Sequence, residues 1–274
     1  MVRRWQLPFG ALVLTFGSML AAATSASAAP VTHHAAQPVH APSGFRPGGV
    51  MVKPSGGSHV STRAGHTTAQ STNWSGYAVT GGTGAFTSVS SSWTEPTATC
   101  TSRRSAQYSS FWVGLDGYNS GSVEQTGTDA DCSGRTPEYY GWYEMYPAFP
   151  VNFSNTVRPG DHLSASVTFS GSSTYTLVLK DTTQNWTQTI VKSQSGLARS
   201  SAEVITEAPS SNSGVLPLAD FGTVSYSTSS ANGTSLGSQH PVEIIMVDSG
   251  GSDKDSTSSI SGAGAFSNTW LRSN

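Results

Sequence analysis

The chain has 274 residues, long enough for one sizeable core, yet only 11% of them are charged against the roughly one quarter usual in globular domains. All sixteen Asp and Glu lie after residue 70, where nine Lys and Arg remain, so residues 71–274 carry a formal charge of −7. An acidic domain with so few cations excludes nucleic acid as a partner.

The first element is an export signal. Met1 to Ala28 holds two arginines, an apolar run from Phe9 to Ala23 and Ala26-Ser27-Ala28 before Ala29, the layout of a secretory signal peptide whose apolar stretch is too short for a membrane span. The mature protein is therefore expected outside the cell, with no membrane attachment. Residues 29–70 follow, rich in Ser, Thr and Gly, with five of the seven histidines, five of the fourteen prolines and no acidic residue. Such a stretch buries too little apolar surface to offset its chain entropy and is expected to be flexible, as a linker or as a propeptide.

From residue 71 onward, helix-length apolar periodicity is almost absent and short alternating runs take over. They include Ser88 to Trp93, Tyr108 to Gly114, His162 to Phe169, Tyr175 to Leu179, Trp186 to Lys192, Phe221 to Ser227 and Val242 to Val247, divided by Gly, Ser, Asn and Pro. Many short strands so spaced predict one all-β domain over 71–274, a sandwich or barrel. Cys100 and Cys132 are the two cysteines of an exported chain, so a bridge between them is expected. By loop entropy it would contribute about 3 to 4 kcal/mol. Its loop contains Gln125.

Two further strands, Val123 to Asp129 and Ser201 to Glu207, carry polar groups on one face, and Tyr139 to Pro147 lies between them. Alternate residues of a strand share a face, which groups Gln125 with Asp129, Trp142 with Glu144 and Tyr146, and Glu203 with Glu207. These segments, together with Asn73-Trp74-Ser75-Gly76-Tyr77, Trp93-Thr94-Glu95-Pro96 and Trp112 to Gly117, resemble in order and spacing the glutamic peptidases, the eqolisin family. The resemblance covers most of residues 71–274. It departs at Val204, where the family usually has Trp, which points to an altered substrate pocket. It implies a two-sheet antiparallel β-sandwich of the lectin-like kind, a precursor with a propeptide, polypeptide substrates, and a Glu/Gln pair at Glu203 and Gln125.

The residues agree with that chemistry. Only His162 and His240 fall in the β domain and the cysteines are expected to be bridged, which leaves little for a Ser-His-Asp triad or a catalytic zinc. No metal or cofactor is expected, and the chain is read as a monomer. Glu203 would take a proton from water as general base, while the Gln125 carboxamide would orient the water and stabilise the oxyanion. Trp112, Asp116, Asp129, Trp142, Glu144 and Tyr146 are the expected supporting residues. Glu207 is expected to be solvated, and Trp74, Trp93 and Trp112 to serve the core. Two other functions fit the composition: a lectin-like sugar-binding module, or a two-carboxylate glycosidase using Glu144 and Glu203.

Overall fold

The computed structural model describes Met1 and residues 41–55, 61–63 and 66–274; apart from Met1, the expected signal peptide lies outside the described residues. Among them the sole helical turn is Leu236–Ser238. The rest is strand and loop, as the alternating runs predict.

Nine strands form one sheet in the order Ser61–Arg63 (β1), His66–Ser71 (β2), Val242–Met246 (β17), Trp74–Thr80 (β3), Ser201–Glu207 (β12), Ser110–Leu115 (β5), Val123–Ser133 (β6), Thr136–Tyr146 (β7) and Val151–Thr156 (β8). All neighbours are antiparallel except β17 and β2. The second sheet runs Trp186–Ser193 (β11), Thr174–Asp181 (β10), His162–Phe169 (β9), Ser88–Thr94 (β4), Thr223–Ala231 (β15), Phe266–Trp270 (β19) and Asp255–Thr257 (β18), with Thr234–Ser235 (β16) on β15. Ser210–Ser211 (β13) and Gly214–Val215 (β14) make a separate small hairpin. The nine-stranded sheet already includes β2, so it begins before residue 71.

Period-2 alternation decides which side chains enter the core. Phe111, Val113 and Leu115 of β5 and Ala202 and Val204 of β12 point between the sheets, where they meet Val167, Leu177, Leu179 and Tyr226. Trp93 packs in the same layer. Val204 therefore belongs to the inter-sheet core and faces away from Glu203. Cys100 and Cys132 are bonded, tying the loop before β5 to the end of β6.

The opposite face of the nine-stranded sheet has its own apolar cluster, comprising Trp74, Trp112, Trp142, Val123, Ile205 and Ile244 together with Met51. Every residue of β12 is buried, on one face by the second sheet and on the other beneath residues 41–55. Composition alone predicted that segment to be flexible; it is held down by Phe45, which packs on Tyr108, and by Met51.

One glycine has a position-specific role. Gly76 sits on β3 with φ +127°, and a Cβ there would lie 2.3 Å from the Val204 carbonyl oxygen of the paired strand. Gly76→Ala is expected to cost about 2 kcal/mol or more, from backbone strain and the clash, read as a lower urea midpoint. Gly82→Ala, where a Cβ meets nothing within 4 Å, should stay within about 0.5 kcal/mol of wild type.

Candidate active site

Four directly opposed residues cross the outer face in one row. Glu203 of β12 faces Gly114 of β5, Gly114 faces Gln125 of β6, and Gln125 faces Glu144 of β7. Strands spaced by almost 5 Å put the Glu203 and Gln125 backbones about 10 Å apart. Gly114 contributes no side chain between them, so nothing on the central strand separates the two side chains on this face. A Cβ on Gly114 would come within 2.8 Å of the Trp112 ring and 3.3 Å of the Gln125 Cβ.

The carboxamide is fixed from one side and open on the other. Gln125 Nε2 donates to Glu144 Oε2 at 2.9 Å, leaving its second N–H and its Oε1 without a protein partner. Neither oxygen of Glu203 has a hydrogen-bond partner, although the residue is fully buried. The Ser201 hydroxyl is near enough to favour the charged form but forms no well-aligned bond to it. Burial, helped by the negative charges of Asp116 and Glu124, pushes Glu203 well above the usual carboxylate range. A buried carboxyl without partners and a half-satisfied carboxamide on one row are exceptions to the rule that buried polar groups are hydrogen-bonded.

The neighbouring rows hold this pair in place. Trp112 donates its indole N–H to Glu207 Oε2 at 3.0 Å, and Asn73 donates to Glu207 Oε1 at 2.9 Å. Glu207 is thus fully buried and doubly bonded, not solvated as the sequence suggested. Trp142 donates to Asp129 Oδ1 at 2.6 Å, and the Tyr140 hydroxyl lies 2.8 Å from Asp129 and 2.7 Å from Asp131. That hydroxyl has one proton for two carboxyl partners, so one carboxyl must supply the other. Burial raises Asp129 accordingly, and burial with the charge of Asp129 raises Asp131. Asp116, at φ 72°, accepts from the backbone N–H groups of Arg199 and Ser200 at 2.6 and 2.9 Å. It pins the loop leading into β12 rather than facing the pair.

Residues 45–52 run over this surface. Arg46 exchanges backbone hydrogen bonds with Ser210, Met51 N–H donates to the Gly117 carbonyl, and Asn73 bonds the backbone of Val50 and Val52. Between these anchors Gly48 passes so close to Gln125 that a Cβ would lie 2.5 Å from its carboxamide nitrogen. The Arg46 guanidinium donates to Glu144 Oε1 at 2.6 Å and to the carbonyls of Ala148 and Pro147 at 2.6 and 2.9 Å. Burial pushes Glu144 up to about 8 even against the opposing pull of Arg46.

The expected residues Trp112, Asp129, Trp142, Glu144 and Tyr146 therefore gather around the row, and Asp116 stands at its end. The sequence did not single out Asn73, Asp131 or Tyr140. The same face-sharing rule places Asp131 and Tyr140 with Asp129, whereas Asn73 is brought in by a turn that periodicity does not report. No group of three or more His, Cys, Asp or Glu poised to hold a metal occurs among the described residues.

So many buried acids make a pH prediction. Glu203 and Glu207 are raised well above the usual range, Glu144 to about 8, Glu124 to about 9 and Asp255 to about 7, each chiefly by burial. The folded chain then holds protons that the unfolded chain releases near pH 4, and stability falls as pH rises from about 4 through these values. Thermal unfolding should give its highest Tm near pH 3 to 4, with a loss of about 10 °C or more by pH 8. A Tm that rises toward neutrality would contradict these protonation states.

Three comparisons bear on the site. The model of the Peptidase A4 family matches residues 72–270. The chain is 29% identical over 202 residues to aspergillopepsin-2 of Aspergillus niger, covering 65% of this chain and 70% of that protein. Among solved structures, scytalido-glutamic peptidase with a transition state analog inhibitor is similar at TM-score 0.63 and 27% identity, over 73% of this chain and 98% of that one. Aspergilloglutamic peptidase from Aspergillus niger is similar at TM-score 0.52 and 25% identity, over 60% and 99%.

Proposed function

Because the chain belongs to the Peptidase A4 family, and so to the peptide hydrolases, we propose that it is a secreted acid endopeptidase working through Glu203 and Gln125. The row Glu203, Gly114, Gln125, Glu144 carries the reading. Water enters between the two side chains; ionised Glu203 takes its proton as the oxygen attacks the peptide carbonyl, and later returns that proton to the leaving amine. The Gln125 N–H not engaged by Glu144 donates to the oxyanion, while its Oε1 accepts from the attacking water. Glu144, which accepts from Nε2, keeps the carboxamide in its rotamer. A neutral Gln beside Glu203 avoids the like charge that a second carboxylate would bring.

In this reading residues 29–70 are a propeptide, and residues 45–52 keep the enzyme silent. Gly48 occupies the place of a substrate peptide over Gln125. The dry cover also holds Glu203 protonated, which disables it as a base; opening the cleft hydrates the carboxyl and brings its pKa back toward the acid range. Removal N-terminal to β2 would leave the nine-stranded sheet otherwise whole. Mass spectrometry of the secreted product should find its N-terminus between residues 60 and 73, and activity on acid-denatured protein only in that trimmed form. Full-length secreted chain with full activity would end the propeptide reading. Arg46→Ala, which frees the cover at its strongest polar contact, should shorten the lag before activity appears at acid pH by about 3-fold or more.

A further inference from the structure

Lys254 carries a charge that no protein group answers. The residue follows the loop after β17 and is only 4% exposed. Its backbone is tied on both sides, the N–H donating to the Met246 carbonyl and the carbonyl accepting from the N–H groups of Leu271 and Arg272. The side chain lines a cleft of about 600 Å³ shared with Val215, Leu216, Val247, Asp248 and Ser252. A lysine that packs its stem ordinarily carries the ammonium to bulk water. Here the ammonium keeps contact with solvent through the cleft alone. The ion pairs among the described residues join Arg46 to Glu144 and Arg272 to Asp248, and neither includes Lys254.

The two acids that act on it through charge are engaged elsewhere. Asp248 accepts from the backbone N–H groups of Gly250 and Ser252 at 2.8 and 2.9 Å and lies 3.6 Å from the Arg272 guanidinium. Asp255 is fully buried and accepts from Ser75 and Asn268. Burial pushes Lys254 down to about 8 against the pull of both, so it is charged throughout the acid range. A buried ammonium without a partner is costly unless something supplies one. The apolar wall of Val215, Leu216 and Val247 says what else the occupant carries, and the Asp248 carboxylate disfavours a second negative charge on it.

We infer that this cleft binds an apolar residue bearing a free carboxylate, the chemistry of a peptide's C-terminal residue, with Lys254 as the partner of that carboxylate. The inference does not rest on the peptidase reading, because the cleft shares no residue with the row from Glu203 to Glu144.

Calorimetric titration of the full chain near pH 6 tests it, since the ligand's carboxylate and Lys254 are both ionised there. N-acetyl-leucine should bind saturably with Kd on the order of 1 mM, N-acetyl-leucinamide at least about 10-fold more weakly, and N-acetylglycine several-fold more weakly for want of the apolar group. Lys254→Met keeps the stem and removes the charge. It should bind acid and amide alike, with a Tm no lower than wild type, because an unpartnered buried ammonium opposes folding. Leu216→Ala, at a half-buried position, should bring N-acetyl-leucine down to the affinity of N-acetylglycine while keeping the preference for acid over amide. No saturable binding, equal affinity for acid and amide, or unchanged discrimination in Lys254→Met would overturn the site. A lower Tm or loss of folding in Lys254→Met would overturn it too, by showing that Asp248 or Asp255 already partners the ammonium. Inorganic sulfate binding as tightly as N-acetyl-leucine, or a Leu216→Ala chain indifferent to the change, would reject the apolar carboxylate as its ligand.

Discussion

Glu203→Gln is expected to abolish peptide hydrolysis, lowering kcat by about 10³-fold or more, while the protein folds as wild type. An amide of the same size cannot accept the proton of the attacking water. The structure adds a second consequence. The Glu203 carboxyl is fully buried with no hydrogen-bond partner, so its ionisation opposes folding as pH rises; the neutral amide removes that penalty, and the variant should lose less Tm than wild type between pH 4 and about 8. Circular dichroism, a pH series of melting curves and a peptide assay check both parts. Activity within a few-fold of wild type in a folded variant would end the assignment of Glu203.

Gln125→Ala is expected to lower kcat by about 10² to 10³, the cost of a lost oxyanion donor, with a smaller change in KM. Its neighbours make this a test of one group. Glu144 would lose the Nε2 donor but keep the Arg46 bond in the precursor, and Gly114 leaves space in which the truncated side chain creates no clash. Gln125→Glu is expected to be as poor or worse at moderate pH, since a second carboxylate next to Glu203 raises the pKa of the pair and repels the oxyanion.

The fold was legible where a strand has one apolar face. Ser201–Glu207 is a strand with the limits that its alternation gives, and β9, β10 and β11 follow their apolar and polar runs closely. The same rule grouped Gln125 with Asp129, Trp142 with Glu144, and Glu203 with Glu207 within their own strands; the strand order is what sets the three groups on one face. It failed for Glu207 because exposure is not a property of a strand alone: the groups that cover this side chain, Asn73 and Trp112, are 134 and 95 residues away in sequence. Val204 shows the rule at work, since the departure from the family pattern there lies in the inter-sheet core. It adjoins Glu203 in sequence, yet adjacent residues of a strand point to opposite sides. Residues 45–52 were the least legible, since Gly48, Gly49 and Pro47 read as linker composition and what orders them is a surface offered by β6, β7 and β12.

The claim that Glu203 and Gln125 act on one transition state is tested most directly by kcat for both single variants and for Gln125→Ala combined with Glu203→Gln, on one peptide substrate at acid pH. Groups that serve the same step are not additive, so the double variant should be little worse than Glu203→Gln alone. Strictly multiplicative losses, or a Gln125→Ala enzyme altered in KM alone, would mean that Gln125 merely lines the cleft and that the two-residue mechanism is wrong.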